Sequence, residues 1–439
     1  MVDKIEKQRK LNEERLLKKK NVVGVGSGWK YISGKKTDIP CVRVYVSKKE
    51  LPYKLGERDT IPKILGADED VKTDVFYVGN ICSPPTTKVS EANLLRTLRR
   101  KLSGIINRKS RYRPAFPGLS IGNIKITAGT FGAVGVWLGK KVIISNAHVL
   151  CEDPFCGVSE ATCVTYEGAA VKKKLTIQQE VAIFQPGVYD GGRFPEDLLA
   201  SMRKMVLIQE NNNNYVDCSF AVPEEESDII SAIAELDITP TGIIPWNPRG
   251  TGLVGMSGIK SGRTTEVTSG ELIDANATLQ INYGDKTAKF VEQILFTDMS
   301  EGGDSGSLIL QEGTNKAIGL LFAGSDVVTV ANPIEHVLKP LGISLWTDQG
   351  EDPGDNKTVS VDFLLTKQEN GAYKVTGTVT DVVTSRPIQN AHLTLNEVNE
   401  ASVNQEGVFA FDNVVEGVHT IRCDAHGYLT QEKEVELRG

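Results

Sequence analysis

The segment Gly302-Gly303-Asp304-Ser305-Gly306-Ser307 has the residue types that nucleophilic catalysis needs. A serine hydroxyl attacks a carbonyl only when a base takes its proton and the chain holds it in the open. A glycine ahead of Asp304-Ser305 lets the backbone turn so that the N–H groups of Gly303 and Ser305 face one point. Two such donors would stabilise the oxyanion of a tetrahedral intermediate. Gly306 relieves crowding behind the hydroxyl. Apolar runs follow at 308–310 and 318–322. A plain glycine-rich turn between strands would give a shorter and less specific run.

The base is expected at His148. It closes Val142-Ile143-Ile144-Ser145-Asn146-Ala147-His148, a β pattern that runs into a small residue and then an imidazole able to take and return a proton near neutrality. Of five histidines, His392, His419 and His426 fall in the C-terminal part and His336 lies beyond the serine. The acid that fixes the imidazole tautomer is expected at Asp217, in Tyr215-Val216-Asp217-Cys218-Ser219-Phe220-Ala221-Val222. Asp153, Asp190 and Asp197 are rivals in turn-rich stretches.

The order His, Asp, Ser with the motifs SNAHV, VDCSFAV and EGGDSGS resembles the trypsin/chymotrypsin superfamily of serine peptidases over residues 118–346. The resemblance implies two β-barrels, His148 and Asp217 on the first, Ser305 on the second, and peptide substrate between them. Residues 129–134, 260–265 and 268–270 are similar to those of bacterial trypsin-like peptidases and the plant narrow-leaf peptidases, which share a valine-rich N-terminal region. It also implies a specificity pocket with Met299 at its floor and Ala323, Gly324 and Ser325 in its walls, hence an apolar side chain before the cut bond. Asp298, one residue away, would reverse that preference. No Ile–Val activation terminus precedes the first barrel, so zymogen activation by a new N-terminus pairing with Asp304 is not expected.

These residues need strands to position them. Short runs broken by Gly, Asn and Asp fill 118–346, as at 142–145, 216–222, 316–322 and 327–330. Residues 226–250, with three prolines, read as the crossing between the halves. Around this body, residues 1–20 read as a charged, solvated helix and 21–90 as a separate small β-rich or α+β domain. In the latter, Val42, Val44 and Val46 alternate with Arg43 and Tyr45 as in a half-buried strand. Gly24, Gly26 and Gly28 are spaced GxGxG, which does not make a nucleotide loop. Residues 91–117 read as a helical linker and 347–357 as a polar linker. Residues 358–439 read as a β-sandwich similar to carboxypeptidase-regulatory or transthyretin-like domains, on 375–381, 387–391, 407–411 and Tyr428. The expected class is mainly β: a chymotrypsin-like double β-barrel with a small N-terminal domain and a C-terminal sandwich.

Bulk properties set limits. The net charge of −6 gives no reason to expect nucleic acid, and no stretch of about 18 apolar residues suggests a membrane span. The seven cysteines are odd in number, and the spacing of Cys151, Cys156 and Cys163 suits zinc poorly, so free thiols in a reducing cytoplasm are favoured over disulfides. No cofactor is expected. The partners are a protein or peptide substrate and a regulatory protein engaging a flanking domain. The alternatives are a silent protease-fold scaffold, or a protease held inactive until a partner or a cut within residues 90–117 releases it.

Overall fold

A computed structural model describes residues 2–32, 35–66, 71–84, 106–126, 128–156, 161–167, 170–177, 181–247, 253–347, 350–351, 357–368, 371–381, 387–388, 391–396, 399–404, 406–425, 428–429 and 431–437. The chain is mainly β. It divides into two compact units, residues 1–135, 141–341 and 346–348, and residues 136–140, 342–345 and 349–439.

In the first unit, one sheet runs through Lys140–Ser145, Ser219–Pro223, Leu198–Val206, Ala182–Phe184, Ser120–Asn123 and Gly129–Thr130. Its core gathers Leu119, Phe131, Ile143, Leu150, Ile183 and Met202. The second sheet has eleven strands. It begins Asn213–Asn214, Thr287–Thr297, Val328–Pro333, Ala317–Gly324, Leu308–Gln311, Ser257–Gly262, Glu266–Asn282. It then continues through Val22–Ile32, Lys35–Val46, Val71–Tyr77 and Ile64–Leu65.

That continuation corrects the expectation of a separate domain at 21–90. Gly24 and Val25 pair antiparallel with Leu279 and Thr278, so the N-terminal strands extend the sheet of the second half. Close approach requires glycine at 24, where a Cβ would fall 2.7 Å from the Thr278 carbonyl oxygen. The strand expected to be half-buried is buried on both faces from Cys41 to Val46. Val42, Val44 and Val46 pack with Ile5 and Leu16, while Tyr45 packs with Leu279, Phe290 and Phe322.

The helix Val2–Leu17 is likewise not a solvated arm, because Ile5, Gln8, Arg9 and Leu16 are buried. Part of its charge is turned inward. Arg9 pairs with Glu6 and Glu13, and Glu13 accepts a 2.9 Å bond from Thr278. Arg43, also buried, donates to the carbonyls of Ile273 and Trp29, both at 2.9 Å, and lies over the rings of Tyr31 and Phe76. A full charge is tolerated there because hydrogen bonds replace its water.

The expected helical linker at 91–117 falls mostly outside the described residues. Its described end, 106–117, contains no helix, and Arg108 is buried against Ser261, Gly262 and Glu235.

In the second unit, two four-stranded sheets, led by Val408–Val414 and by Asn399–Ser402, share one core that includes Val375, Leu393, Phe409 and Ile421. This is the expected sandwich. His419 is satisfied inside it, with Nδ1 2.8 Å from Asn396 Nδ2 and Nε2 2.8 Å from the Val415 carbonyl. His426 lies outside the described residues.

Candidate active site

The strand Lys140–Ser145 ends at Asn146, and one helical turn, Ala147–Leu150, carries His148. The first N–H groups of a helix have no partner within it. Here the His148 N–H donates to Asp217 Oδ1 at 3.2 Å. The imidazole Nδ1 lies 2.6 Å from Asp217 Oδ2. A carboxylate can only accept, so Nδ1 donates, and in the neutral ring the lone pair falls on Nε2. Nε2 is buried and has no hydrogen-bond partner among the described residues.

Asp217 is fully buried just before the strand Ser219–Pro223, not within a strand as its alternation suggests. Its backbone is fixed from two sides. The N–H donates to Asn332 Oδ1 at 3.0 Å, and the carbonyl accepts from Asn146 Nδ2 at 2.8 Å. A third donor reaches the carboxylate, the Tyr283 hydroxyl, 2.8 Å from Oδ2. Burial, joined by the charge of Asp217, pushes the Tyr283 phenol well above its ordinary range, so it stays a donor. Tyr283 stands at the end of Glu266–Asn282, edge-on to His148 and Phe155. No sequence pattern marks it, since a lone tyrosine at a strand end carries no spacing signal.

The three rival aspartates are engaged elsewhere. Asp190 forms a two-pronged pair with Arg263, Asp197 accepts from the Arg193 N–H at 2.9 Å, and Asp153 accepts from the Phe155 and Cys156 N–H groups.

Ser305 sits on a turn whose carbonyls are all taken up. Gly302 O accepts from Thr264 Oγ1, Gly303 O from Thr130 Oγ1, Asp304 O from Ser307 Oγ, and Ser305 O from the Thr130 N–H. Gly303 and Gly306 have φ of +98° and +93°, conformations that other residues rarely adopt. A Cβ at Gly306 would also fall 2.5 Å from the Thr130 carbonyl oxygen. Among the described residues, the N–H groups of Gly303 and Ser305 donate no hydrogen bond. The Ser305 hydroxyl is buried and without a partner among the described residues.

Asp304 is buried, which alone would raise its carboxyl. Lys260, Thr265 and the Glu301 N–H outweigh burial and hold it below the usual carboxylate range.

The turn and the histidine are brought near one another by tight packing. A Cβ at Gly129 would meet Val149, the residue after His148, at 2.5 Å, and the Ser305 carbonyl oxygen at 3.1 Å. No hydrogen bond joins Ser305 Oγ to His148 Nε2.

The residues expected to form a specificity pocket fall in two places. Met299 packs with Leu272, Phe296, Ile309 and Leu321. Ala323 packs with Val78, Ile81 and Phe322 in a different apolar cluster. The Ser325 hydroxyl is bound to the Val78 carbonyl, and Gly324 bonds through its backbone to Cys82. No disulfide joins the described cysteines. Cys41, Cys82, Cys156 and Cys218 are free thiols.

Residues 374–439 match the carboxypeptidase regulatory-like domain family. Bacillopeptidase F of Bacillus subtilis strain 168 is 31% identical over 123 residues, which is 27% of this chain and 8% of that protein. Among solved structures, a glutamic acid specific serine protease described as using a novel histidine triad in substrate binding is 16% identical. It covers 53% of this chain and 100% of its own, with a TM-score of 0.35. Thermobifida fusca protease A is 17% identical and covers 53% and 100%, at a TM-score of 0.34. Nocardiopsis protease is 14% identical and covers 53% and 99%, at 0.32.

Proposed function

We propose that the chain is a serine endopeptidase, with Ser305 as nucleophile, His148 as general base and Asp217 as the group that orients and stabilises the imidazole. The observation that carries this reading is the state of the imidazole. Its Nδ1 proton is committed to Asp217 at 2.6 Å, while Nε2 is left as an unspent acceptor. His419 in the C-terminal sandwich, by contrast, has both ring nitrogens hydrogen-bonded.

In the proposed reaction, His148 Nε2 takes the Ser305 proton as Oγ bonds to the scissile carbonyl carbon. The N–H groups of Gly303 and Ser305 receive the oxyanion. The C–N bond breaks when the imidazolium returns its proton to the amine. Water, deprotonated by the same Nε2, then hydrolyses the acyl-enzyme and restores the Ser305 hydroxyl. The substrate class is protein or peptide.

The test is covalent labelling. On prolonged incubation, a small fluorophosphonate should modify the wild type at Ser305, and S305A should take up none. Labelling at another residue, or equal behaviour of the two proteins, overturns the assignment.

A further inference from the structure

The strand Ala317–Gly324 is paired unequally along its two edges. On one side Val328–Pro333 follows it as far as Gly324. On the other, Leu308–Gln311 follows it only from Ala317 to Leu320. Beyond that point the backbone of Phe322–Gly324 is an open strand edge. It runs directly past the serine turn, because the Gly306 N–H donates to the Leu321 carbonyl at 2.8 Å. An extended peptide presented to Ser305 would be held by such an edge through main-chain hydrogen bonds.

That edge is already filled by the chain itself. The Cys82 N–H donates to the Gly324 carbonyl, and the Gly324 N–H donates back to the Cys82 carbonyl, both at 3.0 Å. This reciprocal pair is an antiparallel bridge. The next residue turns to the catalytic side. The Ser83 hydroxyl donates to the Phe322 carbonyl at 2.8 Å and lies 3.3 Å from His148 Nδ1. On its far side the segment pairs with Asn282, through Ser83 N–H to Asn282 O at 2.9 Å and Asn282 N–H to Ile81 O at 3.1 Å. Val78 and Ile81 anchor it, both buried beside Phe322 and Ala323. The Ser305 hydroxyl is itself buried.

We propose that residues 78–84 act as a built-in pseudo-substrate, a segment bridged through the Cys82 backbone to Gly324 and through the Ser83 hydroxyl to the Phe322 carbonyl, which a peptide substrate must displace. The proposal rests on the peptidase reading for the identity of the ligand it excludes. It specifies how the protein is restrained: the backbone of Cys82, not its thiol, competes with substrate, so events that pull on the strand Val71–Tyr77 raise activity. It also gives the N-terminal strands a purpose, since they carry residues 78–84 to the edge.

The experiment compares wild type, C82P and C82A in the full chain, with a tetrapeptidyl fluorophosphonate bearing an apolar final residue as probe. C82P removes the N–H given to Gly324, whereas C82A keeps both backbone bonds. C82P should label at Ser305 at least tenfold faster than wild type, and C82A at the wild-type rate. Equal rates for all three overturn the pseudo-substrate while leaving the peptidase standing. Absence of labelling in every form overturns the peptidase, and amide hydrogen exchange of the wild type then decides the pairing by itself. A Cys82 amide protected at least tenfold over its unfolded rate upholds the pairing, and an unprotected one overturns it. The same measurement serves if C82P does not fold.

Discussion

Lys260 and Asp304 face one another with both side chains fully buried, Nζ lying 3.3 Å from Oδ2. The carboxylate is completed by the Thr264 and Thr265 N–H groups at 2.8 and 3.0 Å and by the Thr265 hydroxyl at 2.6 Å. Because Asp304 immediately precedes Ser305, this pair anchors the turn that carries Ser305.

Removing one member of a buried pair leaves the other charge uncompensated, at a cost of roughly 3–5 kcal/mol. K260M should lower the urea midpoint accordingly, and the double variant K260M/D304N should recover a large part of the loss. A single K260M variant as stable as wild type would show that the pair does not hold the turn.

The hydrogen bonds on Asp217 predict two graded effects. D217N should fold normally yet lose about 10⁴-fold in kcat, because an amide can donate to Nδ1 and favour the wrong tautomer. Y283F should lose less, roughly three- to tenfold. Without the phenol donor the Asp217 carboxylate loses one of the bonds that fix it toward the imidazole, so the loss should appear in kcat and leave KM unchanged. A wild-type kcat in Y283F would rule out a part for Tyr283 in holding Asp217.

His336 predicts a pH dependence of stability. Burial, reinforced by Lys339, pushes its ring down to about 4, although Glu292 lies 3.7 Å from Nε2. The unfolded imidazole takes up a proton below its ordinary value near 6.5, whereas the folded ring does so only near 4. Between those values the unfolded state binds more protons, so stability falls as pH falls, by about 3 kcal/mol in full. Burial raises Glu292, which acts in the opposite direction. The readout is therefore the difference in slope between wild type and H336F, where phenylalanine keeps the contacts with Tyr215 and Trp246. Chemical denaturation at pH 7, 5.5 and 4 should give a flatter profile for H336F. Parallel profiles would refute the neutral buried ring.

The N-terminal helix predicts a stability effect outside the site. Leu16 is fully buried against the valines of Lys35–Val46, so L16A should cost about 2–5 kcal/mol. A freely solvated helix would lose well under 1 kcal/mol, and the same urea titration separates the two.

The residues of the candidate site stand out in the sequence, because the serine chemistry proposed for them demands particular neighbours. Glycines at 303 and 306 are forced by positive φ, a small residue precedes His148, and the C-terminal sandwich shows strict alternation. Local sequence carries such demands because each is met by the residue itself or its immediate neighbours.

What sequence did not carry were pairings across long separations. Tyr283 reaches Asp217, Lys260 reaches Asp304, and Cys82 reaches Gly324 only after the sheets close. The burial of Cys41–Val46 on both faces was hidden for the same reason. Alternation reports that a strand has two faces, but what covers the second face is decided by whichever helix and strand the tertiary structure brings to it. Side-chain chemistry was thus fixed locally, whereas the bridge between Cys82 and Gly324 depended on where a strand edge was left open. Main-chain hydrogen bonding is nearly independent of residue type, so nothing in the letters at 78–84 could announce it.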